Sequence, residues 1–121
     1  MKDSARILIV DDEHNTREAM ARYLRLRFNV ATAADGGEAI ELLKHEDFDL
    51  VLTDLWMPEM SGSELAEILA GDERFRSVPV VAVTADTQAV SEAPKRFQGI
   101  LLKPITPESL EKIIREVLER K

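Results

Sequence analysis

The chain has 121 residues, of which 45% are hydrophobic and 32% charged, a size and composition that predict one domain over residues 1–121 with a single core. It contains no cysteine, which excludes disulfides and thiolate chemistry, and it has neither an apolar leader nor an apolar run of the roughly 20 residues that span a bilayer, so we expect a cytoplasmic protein. The formal net charge of −7 argues against direct contact with nucleic acid, because phosphate contacts need clustered Lys and Arg.

Short apolar runs alternate with runs of helical periodicity, which is typical of strand–helix units around a parallel sheet. The first half predicts a strand over Ala5–Val10, a helix over about 15–26, a strand over Asn29–Ala33, a helix capped by Asp35 that ends near His45, and a strand over Phe48–Thr53. The second half predicts a helix capped by Ser61, a strand over Val78–Val83, a short or irregular helix between Asp86 and Phe97, a strand over Gly99–Leu102, and a helix capped by Thr106. Together these units fit the α/β class, with a doubly wound five-stranded parallel sheet and five helices.

Polar side chains of complementary charge stand at the ends of the predicted strands. Asp11 and Asp12 follow the first strand, Asp54 the third, Thr84 the fourth and Lys103 the fifth. Doubly wound sheets bind ligands at the carboxyl ends of their strands, so we expect these side chains to meet there. Three carboxylates repel one another unless a cation neutralises them, and a small all-oxygen set suits Mg²⁺. Because an ammonium and a hydroxyl are also available to phosphoryl oxygens, the set predicts phosphoryl transfer to a carboxylate.

Four segments, in order along the chain, resemble those of response-regulator receiver domains: ILIVDDE, DLVLTDLWMPEMSG, VPVVAVTA and LLKPI. The resemblance covers essentially the whole chain and implies a flavodoxin-like sheet with strand order 2-1-3-4-5. It also implies a Mg²⁺-dependent phosphorelay, in which a histidine kinase or a histidine phosphotransfer domain donates the phosphoryl group. The domain is then not an enzyme but a switch that assists its own phosphorylation and dephosphorylation. We expect an unknown output domain or target to read it, and a monomer or a phosphorylation-dependent dimer.

The resemblance gives each strand-end residue a role. Asp54 is the implied phospho-acceptor and contributes to the metal site. Asp12 is the implied direct Mg²⁺ ligand, Asp11 acts through water, and the backbone carbonyl of Trp56 completes the protein's share of the coordination.

Two further residues of the same edge are expected to act on the phosphoryl group. Lys103 bridges Asp54 and the phosphoryl group, and Thr84 moves toward that group when it arrives. Pro104 fixes the loop after Lys103, and the resemblance implies a cis peptide bond before it.

Two other functions stay open from the sequence. A degenerate receiver with this constellation could be a constitutive docking module that never carries phosphate. A Mg²⁺-dependent phosphatase with an aspartyl-phosphate intermediate is disfavoured, because dehalogenase-like enzymes need a second Asp two positions after the nucleophile, where this chain has Trp56.

The chain departs from the family between Thr84 and Lys103. The family commonly carries Tyr or Phe three positions before the lysine, where this chain has Ile100. Ile100 has no aromatic ring that could move between exposed and buried positions when Thr84 moves. We therefore expect the movement of Thr84 to be coupled instead to the loop around residues 86–89.

Two positions are expected to set the lifetime of the phosphorylated state. Trp56 lies two residues after Asp54, and Asp86 lies two residues after Thr84, where side chains can line the path of attacking water. The bulky indole should obstruct that path, although Asp86 could instead orient the water, so we expect slow self-dephosphorylation.

Overall fold

The computed structural model describes residues 4–88 and 97–120. The described strands are β1 (Arg6–Val10), β2 (Asn29–Ala33), β3 (Leu50–Asp54), β4 (Val80–Thr84) and β5 (Gly99–Leu102). The described helices are α1 (His14–Leu24), α2 (Gly36–His45), α3 (Gly62–Ala70) and α4 (Pro107–Glu119). The helix predicted between Asp86 and Phe97 lies for the most part outside the described residues, so α4 here is the final helix predicted from the sequence. In the described part of the chain, none of the helices combines the length and apolarity needed to cross a bilayer.

The five strands form one sheet in the order β2-β1-β3-β4-β5, and every neighbouring pair is parallel. This confirms the flavodoxin-like order. The register pairs Val10 with Thr53 and Thr84 with Leu102, so the carboxyl ends of these strands meet at one edge. The strand order reverses around β1, which places the ligand-binding position of such sheets beside the ends of β1 and β3.

Apolar side chains cover both faces of the sheet. Leu8 and Val10 of β1 belong to the cluster that α2 and α3 complete, whereas Ile7 and Ile9 belong to the cluster that α1 and α4 complete. Successive strand residues point to opposite faces, and both faces are buried, which is why β1 is an almost continuous apolar run. The central strands therefore form a packed frame from which the strand-end residues project.

The predicted helix starts after Asp35, Ser61 and Thr106 are confirmed. Each of these side chains accepts a hydrogen bond from a backbone N–H three residues later. The first helix differs from the prediction at both ends. Its cap is Glu13, whose carboxylate accepts from two backbone N–H groups of the first turn, and it ends before Leu26, which is 63% exposed.

Candidate functional site

Asp11 begins the loop that leads from β1 to α1, and it is completely buried. Its backbone N–H donates to the carbonyl of Ala33 (3.1 Å), and its Oδ1 accepts from the N–H of Glu13 (2.9 Å). Its other carboxylate oxygen, Oδ2, has no hydrogen-bond partner within residues 4–88 and 97–120. A buried polar atom without a partner is costly, so Oδ2 is the atom of this loop that is available to a ligand.

Asp54 is the last residue of β3 itself, not the first residue after it as predicted. Its side chain is 13% exposed, and its Oδ1 lies 3.9 Å from Nζ of Lys103. One carboxylate oxygen from each of Asp11, Asp12 and Asp54 lies within 4.8 Å of the other two. The structure therefore brings together the three predicted carboxylates and the predicted lysine.

The loop after β3 returns closely onto the acceptor strand. The N–H of Gly62 donates to the carbonyl of Leu55 (2.8 Å). A Cβ atom at position 62 would lie only 2.4 Å from the carbonyl oxygen of Asp54, so this close approach requires glycine. In the loop between Leu55 and Gly62, Glu59 has a φ of 67°, and Trp56 is 61% exposed.

The electrostatics of the pocket disfavour ionised carboxylates. Burial raises the pKa of the Asp11 carboxyl group, and the nearby charge of Asp54 adds to this effect, while the bond from Glu13 opposes it. Burial also raises the pKa of Asp54, and the Lys103 ammonium partly offsets that rise. A cation bound among these carboxylates would favour their ionised forms.

The donor set fits Mg²⁺. The three side chains that could bind a metal all offer carboxylate oxygens. Asp12 is exposed, and the buried Oδ2 of Asp11 has no hydrogen-bond partner in the described chain. Mg²⁺ binds through a small number of carboxylates and keeps several waters, which an open pocket of this kind allows.

Thr84 is the last residue of β4 and is buried. Its carbonyl accepts from the backbone N–H of Lys103 (2.8 Å), and its Oγ1 accepts from the backbone N–H of Asp86 (3.1 Å). The peptide bond between Lys103 and Pro104 is cis, as the resemblance implies. Thr84 thus forms one hydrogen bond with the backbone of Lys103 and another with the backbone of the turn that follows β4.

Ile100 pairs in register with Ala82 on the neighbouring strand. It is partly buried and packs against the cluster that α2 and α3 complete. The position that the family commonly gives to an aromatic ring is therefore occupied by an aliphatic side chain that belongs to the edge of the core.

Sequence reasoning missed the role of Arg17. Its Nη1 donates to the carbonyl of Asp11 at 2.8 Å, so it contacts the acidic loop directly. The sequence feature that could have indicated this contact is the position of Arg17, six residues after Asp11 and in the first turns of the helix that follows the acid pair.

An apolar groove of about 390 Å³ runs along α1 and faces the start of α4. Its walls include Ala19, Met20 and Tyr23 from α1, together with Ile105 and Leu110.

Comparison with known proteins shows the family of the chain. A family model for the response regulator receiver domain matches residues 7–115. The chemotaxis protein CheY of Pseudomonas aeruginosa (strain PAO1) is 38% identical over 120 residues, which cover 95% of this chain and 97% of that protein.

Two solved structures share the fold and hold magnesium. The Thermotoga maritima response regulator TrrA in complex with Mg(2+)-BeF has a TM-score of 0.85 and 27% identity, with 93% of this chain and 98% of that chain covered. The second is the receiver domain of a Pseudomonas aeruginosa PAO1 sensor histidine kinase, with a magnesium ion in its active site cleft. It has a TM-score of 0.87 and 26% identity, with 97% of this chain and 99% of that chain covered. Since the family model matches most of the chain and a relative is 38% identical over nearly its whole length, the chain belongs to the response regulator receiver domains, the signalling modules of two-component systems.

Proposed function

We propose that residues 1–121 act as one phospho-acceptor receiver, in which Asp54 takes a phosphoryl group with the help of Mg²⁺ held by Asp11, Asp12, Asp54 and the backbone carbonyl of Trp56. One observation carries the proposal. The oxygens of three carboxylates converge to within 4.8 Å, and one of these carboxylates is buried with an oxygen that has no hydrogen-bond partner in the described part of the chain. Such an arrangement is unfavourable alone and favourable around a cation.

The chemistry is a displacement at phosphorus. A carboxylate oxygen of Asp54 attacks the phosphorus of a phosphohistidine, a P–O bond forms as the P–N bond breaks, and the imidazole leaves with a proton from solvent. Bound Mg²⁺ supplies positive charge that offsets the charge of the phosphoryl oxygens. The Lys103 ammonium, 3.9 Å from Oδ1 of Asp54, adds a second positive charge, and the Thr84 hydroxyl can donate its proton to a phosphoryl oxygen.

The consequence is a switch between an inactive and an active conformation. A phosphoryl group adds about −1.5 to −2 charge and three acceptor oxygens at the end of β3. The conformation in which Lys103 and Thr84 pair best with these oxygens gains population, and a target that prefers this conformation then binds. Asp54 thus accepts the group, and Lys103 and Thr84 respond to its presence.

The donor is proposed to be a histidine kinase or a histidine phosphotransfer domain that docks in the groove between α1 and α4. The groove adjoins the site, because Ile105 follows Lys103 by two residues and Ala19 lies two turns along α1 from the acid pair. An apolar helical surface of a partner suits such a groove. Ala19→Arg should slow transfer from a phosphorylated histidine phosphotransfer domain but not from acetyl phosphate, and equal slowing with both donors would contradict docking here.

The acceptor is tested with acetyl phosphate, Mg²⁺ and mass spectrometry on the intact protein. Native chain should gain one phosphoryl group, and Asp54→Asn should gain none. Asp47→Asn is the matched control, because Asp47 is an exposed aspartate near the opposite end of the same strand. An adduct that persists in Asp54→Asn would refute the assignment. No adduct on the native chain would instead favour a constitutive docking module, and repeated turnover of small phosphate esters would favour a phosphatase.

A further inference from the structure

Arg17 reaches back from α1 to the loop that carries the acid pair. Its Nη1 donates to the carbonyl of Asp11 at 2.8 Å, and its Nη2 lies 3.1 Å from Nδ1 of His14. The arginine side chain is only 14% exposed, so its guanidinium lies against the loop and not out in solvent. Long cationic side chains usually keep their charged end in water, which makes this placement informative.

The bond from Arg17 completes a set of restraints on Asp11. Its N–H donates to Ala33, its Oδ1 accepts from Glu13, and its carbonyl accepts from Arg17. Oδ2 is the one polar atom of this residue without a partner in the described chain. Every other polar atom of Asp11 is therefore held in place, while Oδ2 stays available to a ligand.

The same bond also acts on Asp12. The carbonyl of Asp11 belongs to the planar peptide unit that joins Asp11 to Asp12, so fixing this oxygen fixes the rotation of the whole unit. The direction in which Asp12 leaves the backbone depends on that rotation. A contact to one backbone oxygen thereby orients two carboxylates.

We propose that Arg17 is a positioning residue of the metal site, which aims Asp11 and Asp12 before Mg²⁺ binds. The inference rests on the proposed Mg²⁺-dependent function and adds a residue to it. A guanidinium suits the task because its nitrogens serve the Asp11 carbonyl and His14 at once, whereas lysine offers a single nitrogen. A loop that is already ordered loses less freedom when the metal binds, which strengthens binding.

Calorimetric titration with MgCl₂ tests the role, with the fluorescence of Trp56, the only tryptophan, as a second signal. Arg17→Met should raise the Kd for Mg²⁺ about tenfold, near the lower end of effects seen for residues that orient metal ligands. Arg17→Lys should restore part of the affinity. Arg22→Met is the matched control, since Arg22 is exposed on the same helix, and it should leave the Kd unchanged.

A second background separates positioning from a general structural effect. Asp12→Asn removes one of the two carboxylates that Arg17 aims, so Arg17→Met should weaken Mg²⁺ binding less when Asp12→Asn is already present. A residue that only supports the fold would lower the urea midpoint in both backgrounds and leave the Kd of the folded protein unchanged, which would overturn the proposal. Equal losses of affinity in both backgrounds would also overturn it.

The outcomes distinguish the two proposals. If the native chain binds Mg²⁺ and accepts phosphate while Arg17→Met binds Mg²⁺ equally well, only the role of Arg17 fails. If the native chain shows no response to Mg²⁺ in either signal, the proposed function fails, and the role of Arg17 fails with it.

Discussion

The two halves of the strand-end edge are built in different ways. The acid side, formed by Asp11, Asp12 and Asp54 at the ends of β1 and β3, is held by backbone contacts from several segments. On the readout side, formed by Thr84 on β4 and Ile100 on β5, the strand backbones are paired in the sheet, but the Thr84 hydroxyl makes a short-range contact. The Thr84 hydroxyl binds the backbone two residues later, and the aliphatic side chain of Ile100 packs at the margin of the core.

This difference separates chemistry from signalling. Carboxylates that must share a cation need fixed positions, because a displacement of a fraction of an ångström changes metal affinity and reactivity. A residue that reports phosphorylation must instead have two accessible positions with similar free energies. A local turn closed by one hydrogen bond suits the second task, since such a bond contributes only about 1 kcal/mol.

Among the substitutions that test whether the acid side is rigid, Gly62→Ala should have the largest effect on stability. The added Cβ would lie 2.4 Å from the carbonyl oxygen of Asp54 and 3.0 Å from Cα of Leu55, so the loop or the strand end must move. We expect a loss of about 2 to 3 kcal/mol in the free energy of unfolding, measured by urea denaturation, together with weaker Mg²⁺ binding.

Gly71→Ala is the matched control for that prediction. Gly71 ends α3 with a φ of −86°, and a Cβ there would lie 3.5 Å from its nearest neighbour, an ordinary contact. Its effect should stay within about 1 kcal/mol in either direction. Similar losses for the two substitutions would show that the acid side is no more rigid than an exposed helix end.

The second effect concerns pH in the absence of Mg²⁺. Because burial raises the folded-state pKa of Asp11 above its ordinary value of 3.8, the folded chain binds more protons than the unfolded chain between these two pKa values. The stability of the metal-free domain should therefore fall as pH rises through that window and stay lower above it. Asp54 contributes in the same direction, since burial also raises its pKa.

Asp11→Asn should restore part of the stability that the metal-free domain loses as pH rises. We expect the metal-free variant to be more stable than the native chain at pH 7, by about 1 kcal/mol, and the difference to shrink as pH falls through that window toward 3.8. The new amide can donate to the neighbouring carboxylates. Saturating Mg²⁺ should reverse the order by stabilising the native chain alone. Urea unfolding at several pH values measures both effects, and a variant that is less stable at every pH would contradict the electrostatic account.

The acid side was the more predictable half from sequence. A strand buried on both faces must be apolar, so the run before Asp11 and the run before Asp54 indicated their strands, and parallel pairing implied that their ends meet. The contacts of Gly62 and Arg17 were not predictable, because each depends on the distance to a backbone oxygen of another segment. The first helix began earlier than predicted because the Glu13 carboxylate can reach the free N–H groups of the first turn.

A smaller effect is expected from the indole at the boundary of the two sides. Trp56 is 61% exposed and lies two residues after the acceptor, where it can shield the acyl phosphate from water. Trp56→Asn should accelerate self-dephosphorylation several-fold, which corresponds to about 1 kcal/mol in the barrier, while Trp56→Phe should keep the slow rate. Loss of the phosphorylated mass over time measures it, and an unchanged rate for Trp56→Asn would end the argument for shielding.

The smallest effect is expected from Ile100→Val on the readout side. Addition of Mg²⁺ and beryllofluoride, a phosphoryl analogue, should shift the amide resonances of residues 86–88 more than those of β5, because movement of the Thr84 hydroxyl releases the N–H of Asp86. Ile100→Val keeps an aliphatic side chain in the same place, so it should leave that pattern unchanged.

Thr84→Ala removes the hydroxyl that accepts from the N–H of Asp86, so it should abolish the response at Asp86. A response concentrated on β5, with residues 86–88 silent, would show that the signal passes through the sheet and not through the turn. The aliphatic residue at position 100 would then transmit the signal by a shift in packing, since it has no ring to rotate.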